Sequence, residues 1–231
     1  MTEPRRHLID TARRMAPANL NRGSAGNLSA RAFEHGEDGY LITPSGMDYD
    51  ALEPEDLVFM RLDGTPRGNR KPSSEWRFHH DIYARRPEAG AILHAHSPFA
   101  TSLACLRRDI PPFHYMIARF GGDTIRCAEY ATFGTQALSD NALTAMRERC
   151  ACLLANHGLL VFGQSLPHVF ALAVEFETLC EQYWRACQLG QPVLLPPEEM
   201  RVVLEKFAGY GQETDWRPGY RLRVGDWRVS G

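Results

Sequence analysis

The feature that most constrains the fold is a short apolar segment that ends in two histidines. It reads Ala91-Ile92-Leu93-His94-Ala95-His96, and Ser97-Pro98 follows it. A short apolar run of this kind is typical of a buried β-strand. Because side chains alternate between the two faces of a strand, His94 and His96 point to the same side. The sequence therefore predicts a strand that delivers two imidazoles to one place.

A second apolar run, residues 151–155, ends in Asn156-His157-Gly158 and supplies a third imidazole. Taken alone, two histidines at a strand end are more often explained by ordinary hydrogen bonding than by metal binding. With His157 added, the set has three imidazoles and no fourth strong protein ligand. That donor set is typical of a catalytic zinc-type site, which keeps one coordination position open.

Length and charge limit the classes of protein to be considered. The 231 residues suffice for one large domain, and we expect a single domain over 1–231 with a divergent tail at 212–231. The 26 basic and 28 acidic residues form no Lys or Arg run, which argues against a nucleic-acid partner. No apolar stretch has the length of a signal peptide core or a membrane span, so we expect a cytoplasmic protein without membrane contact. The six cysteines lie mostly in apolar segments, which suits buried, reduced thiols.

Short strands and helices interleave along the chain without the regular alternation of a doubly wound sheet. No strand is followed by Gly-x-Gly-x-x-Gly, so a dinucleotide-binding fold is not supported. We expect an α/β layered sheet with helices on both faces. Strands are predicted near residues 40–43, 57–62, 91–96, 152–155 and 159–162, strands with a loop over 110–130, and helices over 4–16, from 73 or 74 to about 87, 99–106, 135–149, 167–189 and 198–207.

Glu75 follows Pro72-Ser73-Ser74 at a predicted helix start, with Ser73 or Ser74 as the N-cap. A carboxylate there either interacts favourably with the helix dipole or serves the metal site. In the metal site it would fill the open position and later move a proton. His79 and His80 lie in the same helix as competing ligands. As adjacent residues they point about 100° apart, so both cannot face one metal.

Three small turns, Gly26-Asn27, Ser45-Gly46 and Ser73-Ser74, are either ordinary turns or parts of an anion site. Hydroxyls and free backbone N–H groups at a helix N-terminus bind a phosphate dianion well. No Walker-type Gly-Lys-Ser/Thr is present, so nucleotide binding is not indicated. Tyr115 and Tyr210 are either packing aromatics or phenols that transfer a proton.

Seven short motifs, which include all of these site candidates except Tyr210, occur in a characteristic order. They are Gly23-Ser24-Ala25-Gly26-Asn27, Ile42-Thr43-Pro44-Ser45-Gly46, Pro72-Ser73-Ser74-Glu75-Trp76-Arg77-Phe78-His79, His94-Ala95-His96, His114-Tyr115-Met116-Ile117-Ala118, Tyr130-Ala131-Thr132-Phe133-Gly134-Thr135 and Asn156-His157-Gly158. The ordered set resembles the class II aldolase/adducin family over residues 5–211. It resembles the L-fuculose-1-phosphate aldolase branch in particular, which includes the 5-methylthioribulose and 5-deoxyribulose 1-phosphate aldolases.

The resemblance implies a three-layer α/β/α fold with a central, mostly antiparallel sheet, and a homotetramer whose active sites lie between neighbouring subunits. It implies that His94, His96 and His157 bind Zn²⁺, or another divalent transition metal in its place. Glu75 would be the acid/base, and Tyr115 and Tyr210 would reach in from a neighbouring protomer. The substrate phosphate would be held by Gly26, Asn27, Ser45, Gly46, Ser73 and Ser74.

The reaction implied is cleavage of a phosphorylated ketose between C3 and C4 to dihydroxyacetone phosphate and an aldehyde. Zinc would act as a Lewis acid on the charge that develops at the C2 oxygen. Tyr115 would handle the proton of the C4 oxygen, and Glu75 would protonate C3. The candidate substrates are 5-methylthioribulose, 5-deoxyribulose and L-fuculose 1-phosphates.

Two kinds of alternative stay open. Within the family, the chain could be a methylthioribulose-1-phosphate dehydratase or a sugar-phosphate 4-epimerase, although epimerases usually carry Asp at the position of Glu75. The second alternative belongs to a different class of function. The adducin head is a non-catalytic interaction module, and missing metal ligands would indicate it. All three histidines and Glu75 are present in this sequence, which favours an enzyme.

Overall fold

An eight-stranded sheet runs through the centre of the computed structural model, which describes residues 3–23 and 25–209. The strands are β1 (Asn27–Glu34), β2 (Glu37–Ile42), β3 (Val58–Arg61), β4 (Pro66–Arg67), β5 (Ala91–Ala95), β6 (Cys127–Ala128), β7 (Ala151–Leu154) and β8 (Gly158–Gly163). They are ordered β4-β3-β2-β1-β5-β8-β7-β6. All neighbours are antiparallel except β6 and β7. The predicted mostly antiparallel sheet is confirmed.

Helices cover both faces of this sheet. Over the described ranges they are α1 (Glu3–Arg13), α2 (Trp76–Arg85), α3 (Pro98–Ala104), α4 (Gln136–Ala145), α5 (Leu166–Leu189) and α6 (Pro197–Gly209), with 3₁₀ turns at Tyr49–Ala51, Pro54–Asp56 and Tyr115–Phe120. None of these helices has the combination of length and apolar character that crossing a membrane requires.

The three layers follow from the alternation of side chains along the strands. Leu93 of β5 packs in a core with residues of α1, α3, α5 and α6, whereas Ile92 packs in a second core with residues of α2 and α4. All five residues of β5 are buried, because helices cover both of its faces. His94 shares a face with Ile92 and therefore points toward the α2 side of the sheet.

The α5 helix anchors the segment that follows His96. The Glu177 carboxylate accepts hydrogen bonds from Ser97 Oγ at 2.5 Å, Phe99 N at 2.8 Å and Ala100 N at 2.9 Å. Two of these donors are backbone N–H groups of the first turn of α3, which have no partner within the helix. A side chain of the longest helix thus fixes the chain where β5 leaves the sheet.

Three local predictions need correction. Helix α2 begins at Trp76 with Glu75 as its N-cap, because Ser73 O already accepts from Trp76 N and closes a turn before the helix. Residues 110–130 are mostly loop, with the two-residue strand β6 and a bridge between Ile110 and Ile125, and they contain a 3₁₀ turn that was not predicted; the His114 side chain accepts from Met116 N and caps the turn. Buried thiols were expected, yet Cys105 and Cys187 are exposed.

Candidate active site

Four side chains converge where β5 and the β7–β8 turn meet the start of α2. One ligand atom each of Glu75, His94, His96 and His157 lies within 4.8 Å of all the others. The β5–β8 pairing explains this convergence, since Ala95 is opposite Leu159 and His157 precedes that residue by two positions. The structure therefore brings together the three histidines and the carboxylate that the sequence analysis selected.

The turn that carries His157 requires a glycine beside it. A Cβ atom at Gly158 would lie 2.3 Å from the Ala95 carbonyl oxygen and 3.1 Å from Cδ2 of His96. Real Cβ atoms do not approach a backbone oxygen this closely. The absence of a side chain at Gly158 is what lets the turn press against the end of β5 and bring His157 to the other two imidazoles.

The donor atoms of the cluster fit a divalent metal ion. His94 Nδ1 is 2.8 Å from Leu159 O and donates its proton there, which leaves the Nε2 lone pair for the cluster. His94 Nε2 is 3.0 Å from His96 Nε2, and the two Glu75 oxygens lie 3.2 Å from His94 Nε2 and His157 Nε2. Glu75 Oε1, the oxygen near His157 Nε2, is buried and makes no hydrogen bond. Converging nitrogen lone pairs and an orphaned carboxylate oxygen are what such an ion satisfies.

The electrostatics of the cluster agree with this donor set. Burial lowers the pKa of His96 to about 4 and that of His157 to about 3, so both imidazoles are neutral at pH 7. Neutral imidazole is the form that binds a metal. Burial acts to raise the pKa of Glu75, but His94, His157 and the Asn27 amide together lower it to about 2. Glu75 is therefore the ionised member of the set.

A cavity of about 350 Å³ opens beside the cluster, with Glu75, His96 and His157 in its wall. All six predicted phosphate-binding residues line the same cavity: Gly26, Asn27, Ser45, Gly46, Ser73 and Ser74. The asparagine and the three serines offer amide and hydroxyl groups, and the lining contains no Lys or Arg among the described residues. The three turns, although distant in sequence, thus form one polar wall.

Sequence reasoning missed part of this lining. Tyr130, Ala131, Phe133 and Asn156 also face the cavity, and the Tyr130 and Phe133 side chains are largely exposed. Tyr130 to Phe133 belong to a motif that the sequence analysis quoted without giving it a role. Exposed aromatic residues at a cavity rim offer an apolar surface to whatever part of a ligand projects outward.

Tyr115 lies outside this cavity, and Tyr210 lies outside the described residues. Tyr115 stacks on Phe207 of α6 with 6.5 Å between ring centroids, and it is 50% exposed. It lines a different cavity, between the 3₁₀ turn and α6. Within one copy of the chain Tyr115 is not in the site, and its predicted entry from a neighbouring protomer stays a prediction.

His79 was considered only as a competing metal ligand, and the structure gives it another position. It is fully buried, and burial lowers its pKa to about 3, so the imidazole is neutral. Its Nε2 is 2.5 Å from Asn27 Oδ1, and its Nδ1 is 2.7 Å from Ser29 Oγ. Asn27 Nδ2 in turn donates to Glu75 Oε2 at 3.0 Å. His79 thus contacts the site through Asn27.

Comparisons with known proteins agree with this geometry. The family model described as Class II Aldolase and Adducin N-terminal domain matches residues 6–184. The chain is 56% identical to the 5-methylthioribulose-1-phosphate/5-deoxyribulose-1-phosphate aldolase of Rhodospirillum rubrum, over 90% of this chain and 92% of that protein. It is 44% identical to the L-fuculose phosphate aldolase of Escherichia coli (strain K12), over 89% of this chain and 94% of the relative. A solved structure of L-fuculose 1-phosphate aldolase superposes with a TM-score of 0.83 at 42% identity, covering 88% of this chain and 95% of its own. The chain therefore belongs to the class II aldolase and adducin family.

Proposed function

We propose that this chain is a zinc-dependent aldolase that cleaves 5-methylthioribulose 1-phosphate or 5-deoxyribulose 1-phosphate between C3 and C4. The products are dihydroxyacetone phosphate and a two-carbon aldehyde, which carries the methylthio group in the first case. One observation carries the proposal: the cluster of Glu75 with three histidines shares a cavity with three turns rich in hydroxyl and amide groups. A metal site beside a phosphate site is what a phosphorylated ketose requires.

His94, His96 and His157 would hold the zinc ion. When bound, the ion supplies a Lewis acid that stabilises the negative charge developing on the C2 oxygen of the substrate. The tautomer of His94, which donates from Nδ1 to Leu159 O, supports this role. The lowered pKa values of His96 and His157 support it too, since neutral ligands leave the ion its full positive charge.

The polar wall of the cavity would hold the substrate phosphate. Ser45, Ser73 and Ser74 offer hydroxyls, Asn27 offers an amide, and the wall lies at the N-terminal end of α2. A helix N-terminus favours a dianion without requiring a cation. Fixing the phosphate at C1 sets the distance of C2 and C3 from the histidine cluster, so the reacting bond is positioned from one end.

Glu75 and Tyr115 would move the protons. Breaking the C3–C4 bond leaves its electron pair at C3, while the C4 hydroxyl oxygen loses its proton and becomes the aldehyde oxygen. Glu75 starts ionised, accepts the proton of the C3 hydroxyl as substrate binds, and returns it to C3. The proton from the C4 hydroxyl passes through Tyr115 and solvent to restore the C3 hydroxyl, so the protons balance.

A homotetramer with active sites between neighbouring subunits is part of the same proposal. Its support is the position of Tyr115, which is half exposed on a surface away from the cavity of its own chain. A phenol placed there could reach the cavity beside the histidine cluster only in another copy of the chain. A cytoplasmic location is also proposed, because six free thiols suit a reducing compartment.

The apolar rim of the cavity favours a pentulose with an apolar end over L-fuculose 1-phosphate. Tyr130, Ala131 and Phe133 line the same cavity as the phosphate turns, and the Tyr130 and Phe133 residues are largely exposed. The methylthio group on C5, or the C5 methyl of the deoxy sugar, gains from contact with aromatic carbon, whereas the C5 hydroxyl of L-fuculose 1-phosphate would lose hydrogen bonds to water there. The 56% identity to a 5-methylthioribulose-1-phosphate/5-deoxyribulose-1-phosphate aldolase points the same way.

The test is coupled detection of dihydroxyacetone phosphate across a panel of ketose 1-phosphates that differ at C5 and C6. We expect release from the methylthio and deoxy pentuloses, with L-fuculose 1-phosphate at least tenfold lower in kcat/KM, as expected for about 1.4 kcal/mol of lost contact. His96→Ala protein is the control for release that does not need the site. Fastest turnover of L-fuculose 1-phosphate would reverse the substrate assignment. Release of water or of an epimer would overturn the reaction type.

A further inference from the structure

A buried row of polar side chains runs from the cavity into the core, between β1 and α2. Asn27 and Ser29 lie on the same face of β1. Glu75, the N-cap of α2, is followed at intervals of four residues by His79 and Tyr83 on one side of that helix. Each of these five residues is buried, with an exposed fraction of at most 7%. The two elements interdigitate their polar groups in an interface whose other residues are mainly apolar.

The hydrogen bonds of this row have one consistent direction. Asn27 Oδ1 can only accept, so the neutral His79 ring, 2.5 Å away, carries its proton on Nε2. His79 Nδ1 is then an acceptor for Ser29 Oγ–H at 2.7 Å. Ser29 Oγ, having used its proton, accepts from Tyr83 O–H at 2.9 Å. Every donor in the row points toward the cavity.

The last member of the row meets the carboxylate of the site. Asn27 Nδ2 donates to Glu75 Oε2 at 3.0 Å, and Asn27 also lines the cavity. An amide turned by 180° would place Oδ1 against the carboxylate, and two acceptors would face each other. The carboxylate itself disfavours that turn, and the His79 Nε2–H group behind Oδ1 opposes it from the other side.

We propose that His79 is a positioning residue, which locks the Asn27 amide so that its N–H groups face Glu75 and the bound substrate phosphate. This inference rests on the proposed aldolase function for its kinetic consequence, but not for its structural content. The hydrogen bonds of the His79 ring go to Ser29 and Asn27, and neither partner belongs to the histidine cluster. The proposed effect passes through Asn27, which makes it testable by a double-mutant cycle.

The kinetic test compares His79→Phe, Asn27→Ala and the double variant with the wild type, each loaded with zinc. Phenylalanine keeps the ring volume and removes both ring nitrogens. We expect His79→Phe to lower kcat/KM roughly ten- to hundredfold, the loss typical of a hydrogen bond that serves a charged group. In the Asn27→Ala background the same change should cost less than about threefold. An equal loss in both backgrounds would show a general packing role and overturn the proposal.

Two matched variants separate the loss of the His79–Asn27 hydrogen bond from the general effect of replacing a histidine in α2. His80→Phe changes the adjacent position, which packs on Trp76 and Tyr40 outside the row, and it should leave kcat/KM within about twofold of the wild type. His79→Gln keeps an N–H donor that can reach Asn27, and it should recover at least half of the activity lost in His79→Phe, measured on a logarithmic scale. Failure of His79→Gln to exceed His79→Phe counts against the proposal. Zinc content should be the same in all variants.

The position of the proton on the His79 ring can be measured directly, without an activity assay. Nitrogen NMR of the metal-free wild type, with the His79 signals identified by their loss in His79→Gln, should show a proton on Nε2 and none on Nδ1 from pH 6 to 8. A proton on Nδ1 would reverse every hydrogen bond in the row and overturn the proposal. If the wild type shows no aldolase activity, the proposed function fails while this measurement still decides the role of His79. It also decides the matter if His79→Phe does not fold.

Discussion

Replacing Gly26 with alanine tests how tightly the metal site depends on a single backbone approach. Gly26 has a φ of +80°, and a Cβ atom there would lie 2.6 Å from the His94 carbonyl oxygen. The same Cβ would lie 2.7 Å from both Nδ2 and Oδ1 of Asn21. Asn21 Oδ1 also accepts from His96 N at 3.4 Å. One methyl group would therefore push on the backbone of two predicted metal ligands and displace Asn27.

Gly36 provides a matched control for the backbone part of this effect. Its φ is +81°, and an added Cβ would meet no atom within 4 Å. Gly36→Ala should therefore cost only the left-handed conformation, about 1–2 kcal/mol of unfolding free energy. Gly26→Ala adds overpacking against backbone, about 1–3 kcal/mol more. The expected total for Gly26→Ala is roughly 2–5 kcal/mol.

Urea unfolding of the two variants measures these costs, and the activity of the folded fraction measures the displacement. We expect Gly36→Ala to retain zinc binding and kcat/KM, and Gly26→Ala to lose at least about tenfold in kcat/KM, because misplacement by about 1 Å costs up to about a hundredfold. Equal stability losses in the two variants would refute the argument that Gly26 is needed for its close approach to β5.

Three further perturbations test other parts of the site. Glu75→Gln keeps the shape of the side chain and removes the proton acceptor, so kcat should fall roughly 10²- to 10⁴-fold with zinc content unchanged, as measured by steady-state assay and metal analysis; unchanged kcat would remove Glu75 from the mechanism. Co-expressing two inactive variants, Tyr115→Phe and His96→Ala, should restore about a quarter of wild-type activity, because a random ring contains sites built from the intact halves; mixtures that stay inactive would exclude a shared site. Glu177→Gln should lower the unfolding free energy by about 1–3 kcal/mol in urea at pH 7, because it leaves a buried N–H without an acceptor. Burial raises the pKa of Glu177, so the folded state holds the carboxyl proton more tightly than the unfolded state. The unfolding free energy of the wild type should therefore fall as pH rises from the ordinary glutamate pKa through the raised one. A Glu177→Gln protein whose unfolding free energy falls equally with pH would contradict this.

The metal cluster was predictable because its signals are local and periodic. The strand pattern around His94 and His96 fixes the face on which both imidazoles lie, and His157 ends the next apolar run. The pairing of β5 with β8 then brings the two strand ends together. Helices on both faces of the sheet were predicted from the interleaving of strands and helices along the chain, and the complete burial of β5 agrees with this.

The residue at which helix α2 begins was less predictable. Ser73, Ser74 and Glu75 are three consecutive polar residues before an apolar helix, and each can serve as an N-cap. The choice depends on Ser73 O, which closes a turn with Trp76 N. That turn shifts the helix start by one or two residues and directs the Glu75 carboxylate to the histidines instead of to its own helix.

The row that ends at Asn27 could not be found from sequence alone. The spacing of His79 and Tyr83 along α2 is visible, but its meaning depends on the strand against which α2 packs. The pairing of Ser29 with His79 spans 50 residues, and no periodic signal carries such a contact. Tyr115 is a second case, since its predicted role depends on another copy of the chain.

Titration of the metal-free protein with zinc, followed by release of dihydroxyacetone phosphate from 5-methylthioribulose 1-phosphate, tests the central claim most directly. The described residues contain one cluster of Glu75 with three histidines, so activity should rise in proportion to bound zinc and reach its plateau at one ion per chain. Activity that persists in the metal-free protein, or no release at one bound ion per chain, would contradict the account.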